Sequence, residues 1–235
     1  MTSRGYAVAR GGTALAVLGA VLGALLVTVG VVRHASGAPG DRCDRFAAEA
    51  AARAREVTGT GERVVVIGDS WSAGLGLDDP GDSWPSRLPG SVHVAGFSGS
   101  GFSALASECG AGVSFAARAG QVLRGGADLV VVEGGLNDHD RPDAEIRAGF
   151  ARLMAVVEAS GRPVVVVGPP AAPARAGSVP RVDALLADLA ERHGAAYVST
   201  VGWHLDYLDD GLHLTEAGHR EFGDLVADQI TLTRR

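Results

Sequence analysis

Lysine is missing from this chain altogether: all 21 basic residues are arginines, set against 27 acidic ones. The absence is a compositional bias without mechanism of its own, but it comes with a deficit of positive charge. The first 38 residues hold Arg4, Arg10 and Arg33 and no acid, so residues 39–235 carry 18 arginines against 27 acids. A body this acidic repels nucleic acid and anionic lipid. Cysteine is scarce too: Cys43 and Cys109 are the only two, enough for one disulfide at most. Two motifs are absent as well. There is no G-x-S-x-G, because Ser72 stands where that strand-to-helix elbow needs its second glycine, and this disfavours the lipase-type α/β-hydrolase fold. There is no H-E-x-x-H either, and His204, Asp206, Asp209, His213 and His219 form only a loose cluster without metal-ligand spacing. What is present is apolar chain. With 46% hydrophobic and 20% charged residues in 235, the sequence can bury one sizeable core, which excludes disorder and a long coiled coil.

Residues 1–12 form a short flank carrying Arg4 and Arg10, and residues 13–32 read TALAVLGAVLGALLVTVGVV. That run matches the length a helix needs to cross a bilayer core of about 30 Å, so it is expected to be a transmembrane signal anchor or a signal peptide. Arg33 and His34 stand between it and the small residues Ala35 to Ala38, which favours an uncleaved anchor. The expectation is therefore a single-pass protein with its body outside the cytoplasm, or a secreted one if the segment is cleaved. In that compartment Cys43 and Cys109 are expected to pair; two free thiols would fit a cytoplasmic body instead.

Residues 33–58 read as a linker followed by a helix over Arg42 to Val57, rich in alanine. From residue 59 to 235 the type of segment alternates. Short β-branched runs at Val64 to Ile67, Val92 to Ala95, Leu129 to Val132, Val164 to Val167 and Ala196 to Val198 are separated by segments of helical character. The clearest helices are Ala144 to Ala159, Val182 to His193 and Glu216 to Ile230. Continuous apolar strands interleaved with helices predict one α/β domain: a parallel sheet covered on both faces. Ligands of such sheets bind beyond the carboxyl ends of the strands, so the residues just after each strand are where chemistry belongs.

Those residues carry chemistry here. The first strand runs into Gly68-Asp69-Ser70-Trp71, the second into Gly96-Phe97-Ser98-Gly99-Ser100, and the third into Glu133-Gly134-Gly135-Leu136-Asn137-Asp138. Past the fifth comes Asp209-Asp210-Gly211-Leu212-His213. Each block alone is commonplace; in this order and spacing they resemble the SGNH, or GDSL-type, hydrolases over residues 64 to about 228. The resemblance implies a flavodoxin-like three-layer fold and a serine ester hydrolase that needs no cofactor. It makes Ser70 the nucleophile, Asp210 and His213 its partners, and the Ser70 and Gly99 amides with the Asn137 side chain the oxyanion donors. Gly96 and Gly101 compete with Gly99 for its place. Trp71 stands where the family name has leucine and is expected to affect packing or the pocket more than chemistry, while Asp138 receives no role.

The chemistry of the residues agrees with those roles. A serine hydroxyl needs a neighbouring base, and histidine is the side chain whose ordinary pKa suits that near neutrality. An aspartate on the other ring nitrogen fixes the tautomer and steadies the imidazolium. Esterase or lipase action on small or exposed acyl groups is the leading expectation. Glycan O-deacetylation or acyl transfer would use the same residues, and a silent binding module is the reading from another class. A dinucleotide site at Gly99 to Ala104 lacks its acidic partner. Trp84, Trp203 and His93 read as packed residues, and His139 as part of a solvated loop.

Overall fold

The computed structural model describes residues 39–233. The chain divides into two compact units, Met1–Arg42 and Cys43–Arg235, and of the first only residues 39–42 are described. The apolar run 13–32, and with it the anchor or signal reading, lies outside the described residues. Among those described, no helix is long and apolar enough to cross a membrane.

Helix α1 (Pro39–Arg53) is followed by β1 (Val57–Thr58), β2 (Arg63–Gly68), the single-turn α2 (Ser70–Ala73) and β3 (Ser91–Gly96). Then come α3 (Phe115–Val122), β4 (Leu129–Glu133), α4 (Asp143–Glu158), β5 (Val164–Val167), α5 (Val179–Arg192), β6 (Ala196–Val198) and α6 (Glu216–Thr233). The sheet order is β1-β3-β2-β4-β5-β6, and β2 to β6 are parallel. Those five strands follow the flavodoxin-like order, in which β2 sends the chain to one side and β4 starts the other.

Two expectations need correction here. The sheet is mixed, because β1 pairs antiparallel with β3, Val57 opposite His93 and Thr58 opposite Val92. The first helix, expected to run to Val57, ends at Arg53. Both differences share one cause: a two-residue edge strand carries no period-2 signal, so its β-branched pair reads as the tail of the helix before it. Helix α3 was not among the helices singled out from the sequence. It is only eight residues long, contains Gly120 and follows a glycine-rich stretch that hides where it starts.

The sheet sorts its side chains by parity. Val64 and Val66 of β2, Leu129 and Val131 of β4, and Val165 and Val167 of β5 face the layer holding Phe222, Val226 and Ile230 of α6. Val65 and Ile67, Val130 and Val132, and Val166 face the opposite layer, built from α3, α4 and α5 through Phe115, Phe150, Leu153, Leu186 and others. Strands buried on both faces explain the unbroken valine runs. Register then aligns the ends that matter: Gly68 lies opposite Gly96, and Ile67 opposite both Ala95 and Val132. The segments leaving β2, β3 and β4 therefore start side by side.

Cys43 of α1 and Cys109, in the segment after β3, form a disulfide 66 residues apart in sequence. Closing a loop of that size restricts the unfolded chain, so replacing both cysteines by serine is expected to lower unfolding free energy by about 2–4 kcal/mol. Denaturant titration of the two proteins checks this, and identical midpoints would contradict it.

Candidate active site

β2 ends at Gly68 and α2 begins two residues later. Asp69 makes the junction by capping the helix: its Oδ1 accepts the Trp71 amide at 3.0 Å. Ser70 is the first helical residue, is 6% exposed, and its hydroxyl makes no hydrogen bond among the described residues. The turn after β3 supplies Gly99, whose φ of +79° is a conformation other residues adopt at a cost. A Cβ there would meet only Ser107 Oγ at 3.8 Å, so conformation and not space demands the glycine. Gly96 and Gly101 differ. Added carbons would lie 2.5 Å from the Ala73 amide nitrogen and 2.5 Å from Asp138 Oδ2, so these two are glycine for close packing. Among the described residues the amides of Ser70 and Gly99 donate to no protein group.

Asn137 sits in the short turn after β4 and donates from Nδ2 to Ser100 O at 2.9 Å and to Asp69 Oδ2 at 3.2 Å. One side chain thus joins all three segments that leave the central strands. In the resting structure both its hydrogens are engaged, the one on Asp69 through the longer bond.

The segment after β6 is closed by a bridge between Tyr207 and Leu214, by the Leu208 amide on His213 O at 2.8 Å, and by the Ala174 amide on Gly211 O at 2.9 Å. Within it Asp210 Oδ1 accepts the amides of Leu212 and His213 at 2.8 and 2.9 Å, and Oδ2 lies 2.6 Å from His213 Nδ1. A carboxylate there selects the tautomer with hydrogen on Nδ1 and leaves the Nε2 lone pair free. Burial works to raise the Asp210 pKa, but the hydrogen bonds from the His213 ring and from the two amides prevail and hold it at about 2. The loop reaches the nucleophile turn through Trp71, whose indole N–H donates to Leu212 O at 3.0 Å. Trp71 therefore packs and also ties two segments of the site together.

Three charged side chains beneath the site escaped the sequence reading. Glu133, the last residue of β4, accepts the Ser72 hydroxyl at 2.7 Å and is pushed well up by burial and by neighbouring Asp69. Asp69 itself is raised to about 6 by burial, against the Trp71 amide, the nearby charge of Arg118 and the Asn137 side chain. Arg118 of α3 donates to Ala95 O, to Gly68 O at 2.9 Å and to Ser100 Oγ at 2.9 Å, so it pins the ends of β2 and β3 together; burial lowers its pKa to about 10. A lone arginine in an Ala-rich helix gave no sign of this.

Asp138, to which no part in the reaction is assigned, is fully buried and accepts the amides of Phe102 at 3.0 Å and Ser103 at 2.7 Å. It braces the glycine-bearing turn against the turn that carries Asn137. His219, from the loose cluster, is buried on Trp84, whose amide donates to its Nδ1 at 3.4 Å, and burial lowers its pKa to about 4. No group of three or more potential metal ligands occurs among the described residues. His93 is half-buried beside Arg63, 2.6 Å away, and Trp84 lies in the core with Trp203 packed at its edge, as expected. His139 is half-buried, its Nδ1 lying 3.9 Å from Asp140 Oδ1 without a hydrogen bond among the described residues, and is less solvated than expected.

Residues 66–221 match the model of the GDSL-like lipase/acylhydrolase family. No curated protein sequence matches the chain. Among solved structures, Est24, a carbohydrate acetylesterase from Sinorhizobium meliloti, superposes with a TM-score of 0.61 at 21% identity, covering 74% of this chain and all of that one. The inhibitor-bound aryl esterase of M. smegmatis gives 0.63 at 19%, covering 73% and 99%. A putative arylesterase from Agrobacterium tumefaciens gives 0.61 at 22%, covering 73% and 99%. At these identities the likeness is one of fold.

The Asp138 brace has a measurable consequence. Asp138→Ala strands two buried amides, each worth about 1–3 kcal/mol, so a stability loss of about 2–6 kcal/mol is expected. Burial raises this carboxyl to about 7, above the roughly 3.9 of an unfolded chain, so its contribution is fully present below about pH 4 and falls as pH rises through about 7. The gap between wild type and variant should shrink between pH 4 and pH 8. Denaturant titrations across that range check it, and a gap that widens would contradict the assignment.

Proposed function

The chain belongs to the GDSL-like lipase/acylhydrolase family, and on that premise we propose that it is a serine hydrolase cleaving carboxylic esters through an acyl-enzyme on Ser70. The observation that carries the reading is the 2.6 Å contact between Asp210 Oδ2 and His213 Nδ1, in a loop hydrogen-bonded to the residue next to Ser70. It supplies an oriented base, with Nε2 free, in a loop tied to the turn that carries a hydroxyl without a hydrogen bond among the described residues.

In this mechanism Ser70 Oγ attacks the ester carbonyl carbon while His213 Nε2 takes the hydroxyl proton. The oxyanion is met by the Ser70 and Gly99 amides and by Asn137, whose longer bond to Asp69 yields first. Collapse breaks the bond to the alcohol, which leaves with the proton from His213. Water then attacks the acyl group, gives its proton to the same nitrogen, and Ser70 recovers it as the acid departs. Asp210 remains ionised throughout, and its low pKa supports that role.

The finer reading is an esterase for small or exposed acyl groups, with glycan O-deacetylation or acyl transfer as the alternative. Two of the structural neighbours, a carbohydrate acetylesterase and an aryl esterase, accord with both. The body is placed outside the cytoplasm, anchored or released according to the fate of residues 13–32; the Cys43–Cys109 disulfide supports that placement.

Ser70→Ala is expected to abolish fluorophosphonate labelling and hydrolysis of nitrophenyl esters together. Asn137→Ala should lower kcat by roughly 10²–10³ with KM nearly unchanged, since its donor acts as charge develops. A rise in KM at constant kcat would assign Asn137 to substrate binding instead. Labelling without turnover of simple esters would favour the glycan reading, and folded protein that never labels would favour a binding module.

A further inference from the structure

The nucleophile turn and the histidine loop come from opposite ends of the chain, and each is internally well bonded. Asp210 accepts the amides of Leu212 and His213, Gly211 O is taken by Ala174, and His213 O is taken by Leu208. Leu212 O is left, and it accepts the indole N–H of Trp71 at 3.0 Å. Among the described residues this is the one hydrogen bond between residues 69–74 and 206–215. Its donor follows Ser70 directly and its acceptor precedes His213 directly, so this bond, with the packing of Trp71 on Tyr207, links the segments that carry the proposed nucleophile and base.

The indole cannot drift. It is 1% exposed and is held by the rings of Phe222 at 5.2 Å and 87°, Tyr207 at 6.1 Å, and His219 at 6.4 Å. Its own amide is tied to the Asp69 cap. A leucine or phenylalanine at this position would fill part of the same space but has no hydrogen to donate, so Leu212 O would face an apolar surface and its loop would lose the strap.

We propose that Trp71 is a positioning residue for ester hydrolysis: through its bond to Leu212 O it holds the His213 imidazole in register with the Ser70 hydroxyl. This rests on the serine-hydrolase reading above. A base displaced by about an ångström costs up to two orders of magnitude in rate, and the loss falls on the chemical step and not on binding.

The test pairs Trp71→Phe with Trp84→Phe. Trp84 is equally buried, packs on the same Phe222 ring at 5.4 Å, and spends its indole N–H on Ser72 Oγ at 3.1 Å, away from the histidine loop. Both variants are measured for thermal stability, nitrophenyl ester kinetics and the rate constant of fluorophosphonate labelling. Trp71→Phe is expected to lower kcat and the labelling rate constant together by roughly ten- to a hundred-fold with KM within about two-fold. Trp84→Phe should lose comparable stability while keeping kcat within about three-fold. If Trp71→Phe does not fold, benzothienylalanine at position 71, which replaces the indole N–H by sulfur in the same shape, serves as the second variant with the same expected kinetic loss. Unchanged kcat in a folded Trp71 variant, or an equal kcat loss in Trp84→Phe, overturns the proposal. Wild-type protein that neither labels at Ser70 nor turns over ester overturns the underlying reading as well, whereas a reactive wild type with an equally reactive Trp71 variant overturns this proposal alone.

Discussion

A carboxylate buried at the junction of a strand and a helix needs hydrogen bonds to keep its charge, and Asp69 is under that constraint. It finds them in the Trp71 amide and the Asn137 side chain, and the geometry of the site follows from those two bonds. The first stops β2 and starts α2, which sets Ser70 at the carboxyl edge of the sheet. The second draws in the turn after β4, and the other hydrogen of the same amide draws in the turn after β3 through Ser100. Glu133 next to it, itself raised in pKa by burial, and Arg118 above the ends of β2 and β3 set the charge in which that carboxyl sits.

The fold and the site cooperate through the sheet. Parallel strands with apolar residues on both faces fix the register, and the register delivers three loops side by side at the topological switch point. The fourth loop cannot be delivered that way, since it follows the edge strand β6. It is organised instead by Asp210, which closes the turn with one oxygen and orients His213 with the other, and it is joined to the nucleophile turn by the Trp71 indole and to the segment after β5 by the Ala174 amide. A local motif builds the base, and a long-range bond places it.

What was legible in the sequence follows the same division. The strands β2, β4 and β5 declared themselves because strands buried on both faces are near-continuous apolar runs, whereas β3, interrupted by His93, and the three-residue β6 are partly exposed and show more weakly. Ser70, Asn137, Asp210 and His213 declared themselves because their neighbours form compact blocks after those strands. The two-residue β1 and the glycine-bearing α3 were too short to leave a pattern. The tasks of Asp138, Arg118 and Trp71 left no mark in the sequence, because they hold partners 35, 50 and 141 residues away. No local window contains such pairs. Gly99 stands between the two cases: its positive φ sets it apart from Gly96 and Gly101, but only once the backbone is known.

The central claim is that Ser70 carries the acyl group between two half-reactions. The most direct measurement is rapid acid quench of the enzyme during turnover of a nitrophenyl ester, followed by mass spectrometry of its peptides. The account predicts a transient mass gain equal to the acyl group on the peptide bearing Ser70, formed at the rate of the nitrophenol burst and lost at the rate of steady-state turnover. Turnover with no acyl adduct, or with the adduct on another side chain, would contradict it.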